Sequence, residues 1–253
     1  MGKTRRGGKR IGHGSEAFLV KPPIPCKGES GPRDGHVTRV PNPEYVDGIS
    51  PDLWKPNPKI IEKLKEIDPD QSYFYYQLEC DPGELTDENK KDGITDELKP
   101  YSQLFVYAPG GTWVDPKYRP RNWLEWLDGR NEQVLVSKAT RTDKQKEHLT
   151  KAVKLLHDNG IHHGDLHQGN VVIAEDGLPR IIDFDRASFK EPDERFFKVD
   201  PNVNHDKFFK QALEDENETL QKLLQGKFIH TSLPRGAKRT RKVKRSKKLK
   251  RRS

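Results

Sequence analysis

The segment IHHGDLHQGNVVIAEDGLPRIIDFD, residues 161–185, constrains the fold of this chain more than any other stretch. A polar loop precedes two short runs rich in Val and Ile, and an Asp-Gly pair separates these runs. Asp-Gly between two such runs is a strong signal for a β-hairpin. The hairpin would return the chain to its start, so we expect Asp183 to lie near Asp165 and Asn170 on the loop.

Two carboxylates and one amide oxygen at one place suit a magnesium ion, which prefers hard oxygen ligands and keeps several waters. Phosphoryl transfer from ATP needs such a metal, an aligned acceptor hydroxyl and little covalent chemistry from the protein. The predicted meeting of Asp165, Asn170 and Asp183 therefore indicates a phosphotransferase site.

HGDLHQGN (163–170) followed by IDFD (182–185) resembles the catalytic loop and metal-binding motif of the protein-kinase-like superfamily. The HGDLHxxN form is shared by atypical kinases and small-molecule phosphotransferases. The resemblance implies that Asp165 is the catalytic base and that Asn170 and Asp183 bind Mg²⁺. It also implies an α+β, bilobal fold with a small antiparallel-sheet N-lobe, a shortened helical C-lobe and ATP as the phosphate donor.

IGHGSEAFLVK (11–21) resembles the glycine-rich loop of kinases, in which glycine lets the backbone approach phosphate. Two glycines match, while Ala and Leu stand at the third glycine and the valine. The ATP-binding positions implied by this resemblance are Ile11, Gly12, His13, Gly14, Ser15, Ala17 and Leu19. The layout of residues 8–190 is most similar to the serine/threonine protein kinases of large nucleocytoplasmic DNA viruses.

The lysine that grips ATP in this superfamily is absent, because HVTRV (36–40) carries Arg39 in its place. Arg keeps the charge, but its planar fork does not substitute freely for an ammonium. Either Arg39 contacts the phosphates and pairs with Glu62 (alternatively Glu66), or Lys21 reaches in from the preceding strand. A weakened or inactive enzyme is the third outcome.

Two further departures concern regulation. Gly164 stands where many regulated kinases carry Arg, so a phosphate on the activation segment would lack its usual anchor. Asp185 replaces the glycine of Asp-Phe-Gly, and Asp tolerates an unusual backbone conformation better than most residues. A helix around 205–214 is expected to brace the loop through Asp206.

Hydrophobic patterning predicts the remaining elements. Strands are expected at 9–12, 17–21, 36–40, 73–80 and 103–108, and a hairpin at 170–175 and 179–184. One helix is expected within 56–68 and another over 143–157, where Thr142 and Gln145 form a capping box. Trp123 and Trp126 are interpreted as core residues at helical spacing.

The charge is distributed unevenly. The formal net charge is +8, yet residues 235–253 contain twelve Lys or Arg and residues 1–10 contain five, which leaves −9 for residues 11–234. The domains predicted are a basic extension (1–7), an N-lobe (8–108), a reduced C-lobe (109–234) and a disordered basic tail (235–253). The tail is expected to solubilise the protein, to direct nuclear import, or to bind nucleic acid, an anionic membrane or an acidic partner.

No apolar stretch approaches the roughly 20 residues needed to span a bilayer. Cys26 and Cys80 are too few for a disulfide framework and are expected to be free thiols in a reducing, intracellular setting: the cytoplasm, the nucleus or a virion. His162, His163 and His167 could hold a transition metal, but the kinase resemblance explains His163 as a packed side chain.

The leading hypothesis is therefore an ATP- and Mg²⁺-dependent kinase that phosphorylates protein Ser or Thr, with an unknown protein substrate. The alternatives are a small-molecule kinase of the aminoglycoside or choline type, and a catalytically weak scaffold that binds nucleic acid through its tails.

Overall fold

The computed structural model describes residues 9–13, 17–46, 51–109, 113, 141–190 and 204–226. Its first part contains a four-stranded sheet with the order β1-β2-β3-β4. All three pairings are antiparallel. The strands are β1 (Lys9–His13), β2 (Ala17–Lys21), β3 (His36–Pro41) and β4 (Gln103–Val106), which confirms four of the predicted strands.

The two faces of this sheet have different roles. Phe18, Val20 and Val40 are buried on one face, against apolar residues of the segment 85–98. Leu19 is paired with Arg39 across β2 and β3, and Arg39 with Gln103 across β3 and β4, so these three residues share the other face. That face carries the functional side chains described below.

The segment 73–80 is not the regular strand that its aromatic content predicts. It makes isolated bridges instead, parallel from Phe74 to Ile181 and antiparallel from Leu78 to Leu104. The reason is that its backbone serves two partners: Tyr75 donates to the Ile181 carbonyl, whereas Leu78 donates to the Leu104 carbonyl. The segment therefore links the first sheet to the hairpin of the second part.

Short helices α1 (Pro43–Val46) and α2 (Pro51–Trp54) precede the longer α3 (Pro58–Ile67). Helix α3 confirms the prediction from residues 56–68: the Asn57 side chain caps it by accepting from the Lys59 amide. Ile60 and Leu64 of α3 are fully buried in the main core. Helix α4 (Asp87–Lys91) and a 3-10 helix (Asp96–Tyr101) then lead into β4.

The second part begins with α5 (Asp143–Asp158), whose capping box between Thr142 and Gln145 is present as predicted. The hairpin strands β5 (Val171–Ile173) and β6 (Pro179–Ile181) pair in antiparallel register and are shorter than predicted. A 3-10 turn (Phe184–Arg186) follows.

Helix α6 (His205–Leu224) is twice as long as the predicted segment and packs on α5. The main core joins α3, α5, the hairpin and α6; its central residues are Ile60, Leu64, Phe74, Leu149, Leu156, Ile161, Ile181 and Leu223. Trp113 is also buried there, whereas Trp123 and Trp126 lie outside the described residues. The architecture is a mixed α+β fold, as predicted, with a small antiparallel sheet in the first part and a largely helical second part that contains the hairpin.

Cys26 and Cys80 form a disulfide bond, so the prediction of two free thiols was wrong. Their Cα atoms are 5.2 Å apart although 54 residues separate them in sequence. The cause is a backbone pairing that sequence distance hides: the Lys27 amide donates to the Asp81 carbonyl, and the Gly83 amide donates to the Pro25 carbonyl. The bond therefore fastens the loop after β2 to the segment that follows Leu78.

No helix of the described residues is long and apolar enough to cross a membrane.

Candidate functional site

The HGD loop (163–170) and the IDFD segment (182–185) are joined by hydrogen bonds. The Asn170 side-chain Nδ2 donates to the backbone carbonyl of Asp165 at 2.9 Å. The Ile182 amide donates to the Asn170 carbonyl, also at 2.9 Å. The structure thus fixes the loop to the end of the hairpin, and it orients Asn170 so that Oδ1, not Nδ2, is the end that can face a cation.

His163 fixes the loop from inside the core, as the sequence predicted. Its ring is fully buried, and its Nδ1 lies 3.2 Å from the Asp165 amide, which can only donate. The ring proton must therefore be on Nε2, where it is donated to the Ile182 carbonyl at 2.9 Å. Phe184 packs against the imidazole with ring centroids 5.0 Å apart. Both ring nitrogens are thus used, which leaves His163 no role in a transition-metal site.

Gly164 takes a left-handed conformation, with φ +79°. A Cβ built there would lie 2.4 Å from the Arg186 carbonyl oxygen, closer than real Cβ atoms approach. Glycine is therefore required by both the backbone conformation and the space.

Asp165 lies beside two basic side chains. Its Oδ2 is 3.7 Å from Nη1 of Arg186 and 4.0 Å from Nε2 of His167. The Gly169 amide donates to Nδ1 of His167, so the proton of the neutral ring is on Nε2, toward Asp165. Burial lowers the pKa of His167 below its ordinary value. His167 therefore presents an N–H to the carboxylate without needing a positive charge.

Glu216 of α6 is the acid that braces the HGD loop. Its side chain is 3% exposed; Oε2 accepts from the His163 amide at 3.2 Å and Oε1 from the Gly164 amide at 3.1 Å. His157 of α5 donates to Oε2 at 2.8 Å. Burial raises the pKa of Glu216, but His157 and its other partners outweigh burial and hold the pKa below the ordinary value. Glu216 is thus a buried, charged acceptor for the loop backbone.

The prediction that Asp206 is the brace was wrong, although the helix was right. Asp206 is exposed at the start of α6 and pairs with Lys190 at 2.7 Å. Helical spacing could have identified Glu216, because it lies on the same face of α6 as the buried Leu220 and Leu223. An acid on the apolar face of a helix needs buried donors, which here are the two loop amides.

The IDFD segment places two carboxylates around Arg39. Nη1 of Arg39 donates to Oδ2 of Asp185 at 2.6 Å, and its Nη2 is 3.7 Å from Oδ1 of Asp183. Asp183 has φ +66° and Asp185 lies in the 3-10 turn, so the unusual backbone conformation expected at Asp185 is found at Asp183. The left-handed residue turns the chain sharply after β6.

The charges of these two acids differ. Burial raises the pKa of Asp183, but the guanidinium of Arg39, a hydrogen bond with Asp185 and the nearby histidines together outweigh burial and hold the pKa below the ordinary value. Burial likewise raises the pKa of Asp185, to about 7; Arg39 opposes this rise and the charge of Asp183 reinforces it. Asp183 is therefore the better anion of the pair, as a metal ligand must be.

Arg39, and not Lys21, is the cation that the structure brings to this motif. The ammonium of Lys21 lies 3.8 Å from the centroid of the Tyr107 ring. Glu62 and Glu66 are exposed on α3, and Glu66 pairs with Lys63. The predicted Arg39–Glu62 pair is replaced by the pairs with Asp185 and Asp183.

The glycine-rich segment forms the predicted pair of strands. Ile11, Gly12 and His13 lie in β1, Ala17 and Leu19 lie in β2, and Gly12 is opposite Leu19. Gly14 and Ser15 lie outside the described residues. Ala17 and Leu19 alternate with the buried Phe18 and Val20, so they lie on the sheet face that carries Arg39.

The donor set fits magnesium held together with phosphate oxygens. Among the described residues, no group of three or more His, Cys, Asp and Glu could hold a metal ion by itself. Asn170 and Asp183 would supply two oxygen ligands, and Mg²⁺ at phosphate sites commonly uses one or two protein carboxylates with substrate and water completing its shell. Arg39 would supply positive charge to a bound triphosphate.

Comparison with known proteins agrees with this chemistry. Residues 104–198 match the model of the phosphotransferase enzyme family, and these residues contain both the HGD loop and the IDFD segment. A curated relative is mitogen-activated protein kinase kinase kinase 17 of Arabidopsis thaliana, 34% identical over 92 residues. That match covers 36% of this chain and 21% of the relative.

A solved structure with similarity is a chain of the CAK complex from Chaetomium thermophilum bound to ATP-gamma-S. Its TM-score is 0.42 at 18% identity, and the match covers 75% of this chain and 49% of that chain. The chain thus spans about half, or less, of the proteins that it matches. The matched segment, the kinase relative and the site geometry together support a kinase-like phosphotransferase.

Proposed function

We propose that the protein is an ATP- and Mg²⁺-dependent kinase that transfers phosphate to Ser or Thr hydroxyls of a protein. The observation that carries the proposal is the hydrogen-bonded junction of the HGD loop with the IDFD segment. The Asn170 side chain donates to the Asp165 carbonyl, and the amide of Ile182, the residue before Asp183, donates to the Asn170 carbonyl. Phosphoryl transfer demands fixed positions of the base and the metal ligands of this kind.

Each residue has a defined task in this proposal. Asp165 orients the acceptor hydroxyl and takes its proton as the phosphoryl group passes from ATP to the hydroxyl oxygen, with ADP as the leaving group. Asn170 and Asp183 hold Mg²⁺, which when bound neutralises charge on the phosphates. Arg39 contributes a fixed positive charge on the sheet face above them.

A protein acceptor is favoured by the similarity to a protein kinase kinase kinase. The similar order of motifs in the serine/threonine protein kinases of large DNA viruses also favours a protein acceptor. The competing acceptor is a small molecule, because the phosphotransferase family match does not specify one. A transfer assay with radiolabelled ATP, with protein and small-molecule acceptors side by side, separates the two.

Label in Ser or Thr of a protein acceptor supports the proposal. Label only in an amino sugar or choline-like alcohol replaces it with the small-molecule function. If the protein neither transfers phosphate to any acceptor nor hydrolyses ATP, both kinase functions are contradicted. The remaining hypothesis would then be a non-catalytic scaffold. Asp165→Asn is the matched control, because it removes the base while preserving size and the loop fold.

The basic tail suggests an anionic partner, and we propose nucleic acid. Residues 235–253 concentrate twelve positive charges on a chain whose segment 11–234 is acidic, so the tail is the part that attracts polyanions most strongly. Binding of duplex DNA or RNA should fall steeply between about 50 and 200 mM salt. It should vanish when residues 235–253 are deleted; binding that survives the deletion would locate the contact elsewhere.

A further inference from the structure

The position of Arg39 is defined from several sides. Its cross-strand neighbour Gln103 is 1% exposed, and the Gln103 Oε1 accepts from Nη1 at 3.1 Å. The Trp54 ring lies 5.1 Å from the guanidinium carbon. Asp185 accepts from the same Nη1 at 2.6 Å, and this is the shortest of the contacts. The arginine side chain is 14% exposed, so most of it is enclosed.

The two ends of the guanidinium face two different acids. Nη1 is bound by Asp185, while Nη2 approaches Asp183 at 3.7 Å without a hydrogen bond of normal length. A planar fork can serve two acceptors at once, which an ammonium cannot do with the same fixed geometry. Asp183 thus keeps oxygen capacity for another cation, while Asp185 holds the arginine.

Asp185 therefore does more than occupy the position of the glycine in Asp-Phe-Gly. It reaches from the turn after β6 to a cation on β3, 146 positions earlier in the chain. Glu62, the carboxylate of α3 expected to hold that cation, is exposed. The acid that pairs with Arg39 is therefore Asp185, from the second part of the fold, and not a carboxylate of α3.

We propose that Asp185 is the positioning residue for Arg39, holding its guanidinium beside Asp183 so that the arginine contacts the phosphates of bound ATP. The inference rests on the proposed function, because it takes ATP as the donor. In this arrangement the turn that carries the metal ligand Asp183 also carries the residue that positions Arg39. Residues 183–185 thereby set the positions of both the metal ion and the Arg39 guanidinium.

The test is a double-mutant cycle on affinity for Mg·AMP-PNP, a non-hydrolysable ATP analogue, measured by titration calorimetry on the full chain. Arg39→Ala should weaken binding about tenfold and Asp185→Asn about fivefold. In the double variant the loss should equal that of Arg39→Ala alone, because Asp185 acts only through the arginine. Asp185→Glu, which keeps an acceptor, should recover part of the affinity.

Asp176→Asn is the matched control. Asp176 also pairs with a buried arginine, Arg180, at 2.7 Å, but at the turn of the hairpin. Its variant should bind the analogue as wild type does. Glu62→Gln examines the competing arrangement and should likewise leave binding unchanged. Melting temperatures of all variants identify losses caused by unfolding, and Asp185→Gly provides a second variant if Asp185→Asn is unstable.

Unchanged or tighter binding by Asp185→Asn would overturn the inference, since the acid would then be idle or would hold Arg39 away from the nucleotide. A loss of the same size in the Arg39→Ala background would overturn it as well. If the effects of Arg39→Ala and Glu62→Gln on affinity were coupled, the positioning residue would be Glu62 of α3. Any of these results with wild-type transfer activity intact overturns the positioning role alone, whereas a wild-type protein that neither binds the analogue nor transfers phosphate overturns the proposed function too.

Discussion

Oε1 of Glu216 accepts a hydrogen bond from the Gly164 amide at 3.1 Å, across 52 residues of sequence. The same carboxylate accepts from the His163 amide, so one buried side chain satisfies two successive loop donors. The HGD loop is therefore held from α6 as well as by its own hydrogen bonds, and α6 becomes a determinant of loop geometry.

Glu216→Gln should destabilise the protein by about 1–3 kcal/mol, because one acceptor oxygen is lost and an amide donor is buried without a partner. Asp206→Asn, which breaks an exposed pair with Lys190, should cost less than about 1 kcal/mol. Urea unfolding followed by circular dichroism measures both. Equal losses would mean that the loop does not depend on the buried acid.

Asp165→Asn and Asp183→Asn should each abolish detectable Mg²⁺-dependent transfer, the first through loss of a base worth on the order of 10²–10⁴ in rate. Neither carboxylate lies in the apolar core, so the unfolding transition should persist. Radiolabel transfer at saturating ATP is the measurement. Retention of wild-type rates in either variant would refute the role of that residue.

Stability should decrease as the pH falls below about 6.5 through His148. This ring stacks on Tyr73 and contacts the Ser72 carbonyl, and burial, with a further contribution from Arg180, lowers its pKa from 6.5. Between the two pKa values His148 is protonated in the unfolded chain and neutral in the folded chain. The stabilisation that is fully present above pH 6.5 is therefore lost as the pH falls toward the lower pKa of the folded state. Unfolding free energies from pH 7.5 to 5 should show a shallower slope in His148→Gln; an identical slope would exclude this histidine.

The disulfide should stabilise the first part of the chain. Closing a loop with a sequence separation of 54 residues restricts the unfolded state by about 4 kcal/mol on a chain-entropy estimate. Cys80→Ser should therefore lower the free energy of unfolding by up to that amount in non-reducing buffer. Addition of reductant should lower the wild type to the level of the variant and leave Cys26→Ser/Cys80→Ser unchanged.

Local features were predictable from sequence because their causes are local. The Thr142–Gln145 capping box and the Asp-Gly hairpin depend on residues a few positions apart, and the structure has both. The same is true of the junction of the HGD loop with the IDFD segment, where the hairpin sets the distance.

Long-range partners were not predictable in this way. Arg39 was recognised as a departure, but its acceptor Asp185 lies 146 positions away, and only the folded chain reveals that α3 does not supply the acid. The Cys26–Cys80 bond and the Glu216 brace were missed for the same reason. In each case the sequence contains the right residue type, but the partner depends on which segments pack together.

Gly164 also limits how this protein could acquire regulation. Its left-handed backbone and the 2.4 Å approach of the Arg186 carbonyl leave no place for a side chain. An arginine at this position, the residue with which many kinases sense a phosphorylated activation segment, could not be gained by a single substitution without displacing the turn that follows Asp183. Control of the site through an arginine at this position would therefore require the backbone at Arg186 to move.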